Sequence, residues 1–228
     1  MLITPPNIAS PHVRAFFTTK IFTGNHVHVS DAVAREFNIP AAKIYLPVQK
    51  HTNRIQILEA DTAPEVADAV ITNRKDVYIG VLVADCVPIL LFDKDKEAVG
   101  AVHAGWRGTA QQILQETIIT MQEKFRSTPE DISIAIGPCI RKCSYEVDED
   151  VKDAVERATG QGDYYTGKGN KYFIDLSSAN RLQALSAGIL EQNIWQSGEC
   201  TFCSPEQFYS YRYAVNTGGR QGGFIGMW

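Results

Sequence analysis

Three apolar segments crowd the middle of the chain: Val77–Val83, Val87–Phe92 and Ala98–His103. The first two are nearly continuous apolar runs, not alternating ones. A strand with water on one face alternates, so such runs must be covered on both faces. The rest of the chain therefore has to supply covering layers on two sides of a central sheet. Ile113, Leu114, Ile118, Met121 and Phe125 recur at helical spacing and make one apolar face. Thr109 is the expected cap of that helix. Asp148–Ala158 reads as a charged amphipathic helix, and Ser177 opens another to about Leu190. Ser30 is expected to cap a short helix, Asp31–Asn38, stopped by Pro40. Further strands are expected at Arg14–Thr19, Ile44–Val48, Arg54–Leu58, Ile132–Ile136, near Phe208–Tyr213 and at Phe224–Met227. The polar segment Gln161–Asn170 reads as a mobile loop. Strands and helices alternate without strict βαβ spacing, which predicts an α/β fold with mixed sheets.

The 228 residues suit one domain, or two small ones built into one core, and are read as a single unit, 1–228. With 44% hydrophobic and 21% charged residues, the composition is that of a globular chain and excludes disorder, collagen and coiled coil as descriptions of the whole. A net charge of −4 with no basic stripe argues against duplex nucleic acid as a partner. The longest apolar run, Ile79–Phe92, contains Asp85 and is too short to span a bilayer, so no membrane partner is expected. MLITPPNIASPHVR lacks a charged segment followed by an apolar core, so no signal peptide is read and a cytoplasmic location is expected. A monomer is the default assembly. The five cysteines, Cys86, Cys139, Cys143, Cys200 and Cys203, cannot all pair. In a reducing compartment they read as buried thiols, metal ligands or a nucleophile.

Chemistry concentrates at three positions. His51 lies in a polar turn between two short strands. Cys86 follows Asp85 between the two most apolar strands. His103 ends a strand and opens into Ala-Gly-Trp-Arg-Gly. Asp85 in such apolar company is costly unless a cation, a metal or a hydrogen-bond donor meets it. One thiolate and two imidazoles would make a three-ligand zinc site with an open fourth position. The spacing alone leaves a buried core thiol and an exposed loop histidine as the alternative.

Five segments in order change that reading: ADAVIT (Ala67–Thr72), VLVADCVPILLFD (Val81–Asp93), AVHAGWRGT (Ala101–Thr109), IGPCIRKCSYEV (Ile136–Val147) and YSYRYAVNTGGRQ (Tyr209–Gln221). Together they resemble the YfiH/multicopper polyphenol oxidase family, also described as laccase-domain purine nucleoside phosphorylases. The resemblance runs over nearly the whole chain. It implies a layered α-β-β-α fold and a zinc held by His51, Cys86 and His103, zinc being preferred to Cu2+. It also implies phosphate-dependent cleavage of adenosine, inosine or S-methyl-5′-thioadenosine, with adenosine deamination as an additional activity. Purine nucleoside and phosphate are then the partners. Asn25 and His26 match substrate-binding positions of the family, and Lys20 its usual basic residue. Lys50 and Thr52 depart from the family pattern around the turn histidine, and the loop TTKIFTGNHVHVSD is shorter than usual.

Arg107, Arg212 and Arg220 lie inside the matched motifs and suit phosphate or carboxylate; Arg107 is placed with the catalytic groups, Arg212 and Arg220 with substrate. Asp85 is assigned a catalytic part, either as a base or by orienting a ligand histidine. Trp106, Tyr145, Phe208, Tyr209 and Tyr211 are candidates for stacking on a planar base, with a place in the core as the alternative. Cys139, Cys143, Cys200 and Cys203 are expected to form neither a disulfide nor a second zinc site, because no second close pair accompanies the CxxC. Two other functions remain open: a cysteine hydrolase or amidase with Cys86 as nucleophile and His103 as base, and a copper-dependent phenol oxidase. The latter is disfavoured because a multicopper centre needs many histidines and the chain has only five.

Overall fold

The computed structural model describes residues 1–23, 28–61, 63–215 and 218–228. The central apolar strands divide between two sheets. A six-stranded sheet runs in the order Ile194–Gln196, Ile132–Ile136, Val87–Asp93, Ala98–Ala104, Ala69–Thr72, Ile55–Ile57. A five-stranded sheet runs Leu2–Ile3, Val13–Thr18, Gln221–Met227, Val77–Val83, Ile44–Tyr45. Both mix parallel and antiparallel pairs.

Side-chain alternation explains why the central strands are apolar throughout. On Val87–Asp93, Leu90 and Phe92 enter the layer between the sheets, with Phe17, Ile79, Val81 and Ile225 from the five-stranded side. Val87, Ile89 and Leu91 face the other way, onto helices Ile113–Phe125 and Leu176–Ser186. The far face of the five-stranded sheet, through Phe16, Tyr78 and Phe224, is covered by helix Val29–Glu36 with Val29 and Val33. The layers are thus helix, sheet, sheet, helix, and every residue of Val87–Asp93 is buried.

Several local expectations are corrected. Ser30 lies within the first turn of its helix, whose cap is His28 without a side-chain cap bond. Thr109 is no cap either. It sits in a short helix, Trp106–Ala110, and a left-handed Gln112 (φ 58°) separates that helix from Ile113–Phe125. Thr109 anchors instead: its hydroxyl accepts from Asn180 Nδ2 at 2.9 Å and its carbonyl from Gln183 Nε2 at 2.9 Å. The helix expected from Ser177 starts at Leu176, is capped by Asp175 and stops at Ser186, just before Gly188 at φ +92°. Part of the Gln161–Asn170 loop is a hairpin arm, Tyr165–Lys168, paired with Lys171–Ile174. No strand forms over 208–213. There the Gln221 side chain bonds both the backbone N–H and the carbonyl of Tyr209, at 2.8 and 3.0 Å, in place of a ladder. Among the described residues no helix is long and apolar enough to cross a membrane.

Leu90→Ala should cost about 2–5 kcal/mol, because it leaves a cavity between two sheets that cannot close on it. Ile119→Ala, on the 43% exposed outer side of a helix, should stay within about 0.5 kcal/mol. Urea unfolding with unchanged slope but displaced midpoints for the first variant checks both.

Candidate metal centre

The chain crosses from the five-stranded to the six-stranded sheet through Ala84, Asp85 and Cys86, and that crossing forms one wall of a cleft of about 620 Å³. His103 reaches the same place one strand over, in register with Pro88. His51 arrives from the turn before Ile55–Ile57 with a left-handed backbone, φ 59°. The donor atoms of His51, Cys86 and His103 all lie within 4.8 Å of one another. His51 Nε2 is 3.9 Å from Cys86 Sγ, and the two imidazoles meet edge to face with centroids 4.8 Å apart. A Cβ on Gly105 would come 3.0 Å from Cys86 Sγ and 3.2 Å from His51 Cδ2, so glycine leaves the donors room to converge.

Asp68, fully buried at the start of Ala69–Thr72, organises this group. Its carboxylate accepts the backbone N–H groups of Lys50 (3.2 Å), His51 (3.0 Å) and Thr52 (2.6 Å). It also accepts the Thr52 hydroxyl at 2.8 Å and pairs with His103 Nδ1 at 2.8 Å. Three successive N–H groups make an anion nest, which holds the turn with His51 in its left-handed conformation. Because Nδ1 of His103 is engaged, Nε2 is left for the cleft. Orienting a ligand histidine, one of the two parts assigned to Asp85 from the sequence, is thus done by Asp68. The sequence does carry a signal for it: an acidic residue set in the apolar ADAVIT.

Burial pushes the Asp68 carboxyl up, but the bonds from His103 and Thr52 outweigh it and hold it well below the usual carboxylate range. Burial likewise raises the Cys86 thiol, yet the charge and hydrogen bonds of His103 and His51 bring it down to about 6. Burial lowers His103, while the Cys86 thiolate and Asp68 raise it to about 9. The pair favours thiolate and imidazolium near neutral pH. Two imidazoles and a thiolate also form a borderline-soft donor set that fits zinc, and the carboxylate behind His103 matches the outer support such ligands need.

Asp85 (φ 87°) accepts the Thr201 hydroxyl at 2.7 Å and the Arg212 backbone N–H at 2.7 Å, tying the 201–212 segment to the cleft. Arg107, Arg212 and Arg220 all line the cleft, as do Trp106, Tyr145 and Tyr211. The Arg107 guanidinium lies 4.3 Å from the Trp106 ring and that of Arg212 5.1 Å from Tyr145. Phe208 is instead buried in the core, and the Tyr209 ring packs under Lys20 Nζ, 5.5 Å away. Asn25 and His26 fall outside the described residues. Cys143, Cys200 and Cys203, expected to form neither a disulfide nor a second zinc site, bring their sulfur atoms within 4.8 Å of one another, while Cys139 is buried.

In metal-free protein, Asp68→Asn should cost about 3–5 kcal/mol, since it breaks a buried charge network and turns an amide donor on five donors. Asp61→Asn, which removes an exposed ion pair with Arg74, should leave the unfolding midpoint almost unmoved, because solvent screens such a pair. Denaturant midpoints of the two variants test the difference.

A family model described as multi-copper polyphenol oxidoreductase laccase matches residues 25–228. A protein named purine nucleoside phosphorylase YlmD from Bacillus subtilis is 36% identical, over 97% of this chain and 91% of its own. One named purine nucleoside phosphorylase from Aquifex aeolicus is 40% identical, over 75% of this chain and 76% of its own. The crystal structure of YlmD from Geobacillus stearothermophilus superposes with a TM-score of 0.87 at 31% identity, covering 97% of this chain and 93% of that one. The chain therefore belongs to the family described as multi-copper polyphenol oxidoreductase laccase, the family of the YlmD and YfiH proteins.

Proposed function

We propose that the chain is a zinc-dependent purine nucleoside phosphorylase acting on adenosine, inosine or S-methyl-5′-thioadenosine. In this reading His51, Cys86 and His103 hold the metal. The observation that carries it is the convergence of these donors in a cleft that also gathers three arginines and three aromatic rings. The names of the relatives from B. subtilis and A. aeolicus point the same way.

Phosphorolysis joins a phosphate oxygen to the ribose C1′ and breaks the glycosidic C–N bond, and the purine leaves with a proton. When bound, zinc supplies Lewis-acid polarisation and charge stabilisation. Arg107, Arg212 and Arg220 hold the phosphate, which a planar guanidinium meets with paired donors. Trp106, Tyr145 and Tyr211 offer faces for the purine. Asp85 positions the segment carrying Arg212 through its bond to that residue's backbone. By the family resemblance, Asn25 and His26 contact the nucleoside. Deamination of adenosine would draw on the same centre.

One observation favours a second reading. Cys86 Sγ lies within 4.8 Å of a His103 ring nitrogen, which lowers the thiol, and a cysteine nucleophile and its base stand in the same arrangement. A multicopper oxidase is less well served, because the group contains two imidazoles.

Chelation should abolish phosphate-dependent release of purine from nucleosides, and added zinc should restore it. Cys86→Ser should lose metal and activity together, while Cys86→Asp keeps some of both, since a carboxylate ligates zinc better than a hydroxyl does. Metal analysis alongside the assay reads both, and full activity in verified metal-free protein would exclude the zinc mechanism. The two readings also part on alkylation. Iodoacetamide should spare Cys86 in the metal-loaded enzyme and modify it once the metal is stripped. A cysteine hydrolase would be modified at Cys86 rapidly in both states.

A further inference from the structure

We propose that Cys143, Cys200 and Cys203 form a second metal site, a thiolate site for zinc, which fastens the segment that walls the cleft. The three sulfur atoms come together from two places far apart in sequence. Cys143 stands on the turn over 141–144, closed by the Ser144 N–H donating to the Arg141 carbonyl at 2.9 Å. Cys200 and Cys203 bracket a second turn, in which the Ser204 N–H donates to the Cys200 carbonyl at 3.2 Å. The two turns are held side by side because the Thr201 N–H donates to the Cys139 carbonyl at 3.0 Å. The pairing needs no help from the thiols themselves.

The spacing is that of ligands. Cys143 Sγ lies 3.5 Å from Cys200 Sγ and 3.4 Å from Cys203 Sγ. Two sulfurs on one tetrahedral zinc, with bonds of about 2.3 Å, stand about 3.8 Å apart. A disulfide would need about 2.0 Å. A shift of a few tenths of an ångström thus opens the group around an ion, whereas a covalent bond requires more than an ångström of approach. The Ser144 hydroxyl, 3.5 Å from Cys143 Sγ and 3.3 Å from Cys203 Sγ, sits beside the group where a fourth ligand or a water belongs. Cys143 and Cys203 are exposed and Cys200 is buried, so an ion can enter from solvent. An all-thiolate set selects zinc or another soft cation over magnesium or calcium. Binding replaces the thiol protons, which pass to solvent, and requires no oxidant.

The place of this group gives it a role. Thr201, between two of the three cysteines, donates its hydroxyl to Asp85, whose other oxygen accepts the Arg212 N–H. An ion clamping Cys200 and Cys203 to Cys143 would fix the stretch from Thr201 to Arg212, and with it one wall of the cleft. The two metal groups share no ligand, so this inference stands apart from the assignment of the first centre.

The test is zinc uptake by the full chain in thiol reductant, read by native mass spectrometry and elemental analysis. Wild type should take up one zinc more than Cys203→Ser, and Cys86→Ser should retain the zinc that Cys203→Ser loses. Equal uptake by wild type and Cys203→Ser would overturn the proposal. A measurement on the unaltered chain covers the case in which Cys203→Ser does not fold. Zinc should shield Cys143 and Cys203 of the wild type from iodoacetamide, and a chelator should expose them. Alkylation of both at the same rate with and without zinc, or a Cys143–Cys203 disulfide in the reduced preparation, would overturn it equally.

Discussion

The carboxylate of Asp68 is the contact on which the candidate centre depends. It lies out of water at the head of a strand and collects donors from a turn seventeen residues upstream and a histidine thirty-five residues downstream. Each partner alone would leave a buried charge undersatisfied, which is costly. Together they fix the left-handed turn at His51, the ring orientation of His103 and the distance between them. The cluster is therefore held together by the fold itself, and the thiolate at Cys86 is favoured by the same imidazoles.

Layering supplies the other half of the arrangement. Since both faces of Val87–Asp93 are buried, the strand cannot shift register without moving apolar side chains out of two cores at once. Cys86 is attached to the fixed end of that strand, and His103 to its antiparallel neighbour. Polar groups are admitted where the chain leaves one sheet for the other. There Asp85, at a positive φ, is satisfied by Thr201 and Arg212. Strands thus aim His103 and anchor Cys86, a turn brings His51, and the segments around them bring the arginines and aromatic rings.

What was legible in the sequence was what periodicity encodes. Val77–Val83 and the apolar face from Ile113 to Phe125 follow directly from their patterns. The layered arrangement came through resemblance, and the grouping of His51 with Cys86 and His103, plausible from their positions at strand ends and a turn, was singled out by it, because spacing alone cannot bring residues so distant together. Misreadings arose where a local signal had a tertiary partner. Thr109 looks like a cap but is an anchor for Asn180 and Gln183. Tyr209 lies in a strand-like sequence whose bonds go to one glutamine side chain. The Gln161–Asn170 segment looked polar and loose, yet its Gly169-Asn170 pair joins Lys168 to Lys171, with Gly169 at φ +63°. A glycine-led two-residue turn is itself a hairpin signal. The meeting of Cys143 with the Cys200–Cys203 turn had no linear signature, since it rests on a backbone bond between Thr201 and Cys139.

The position of strand Gln221–Met227 bears on how the protein is made. It lies between Val13–Thr18 and Val77–Val83, and the bond from the Gly222 N–H to the Thr18 hydroxyl spans 204 residues. Gln221–Met227 follows every strand of the six-stranded sheet along the chain, and both of its own neighbours as well. Until it arrives, Val13–Thr18 and Val77–Val83 each present an open ladder edge of apolar strand, the kind of surface that recruits other chains. His51, Asp68, Cys86 and His103 all precede that middle strand in the chain. Closing that gap demands a long-range pairing, a slow class of folding step.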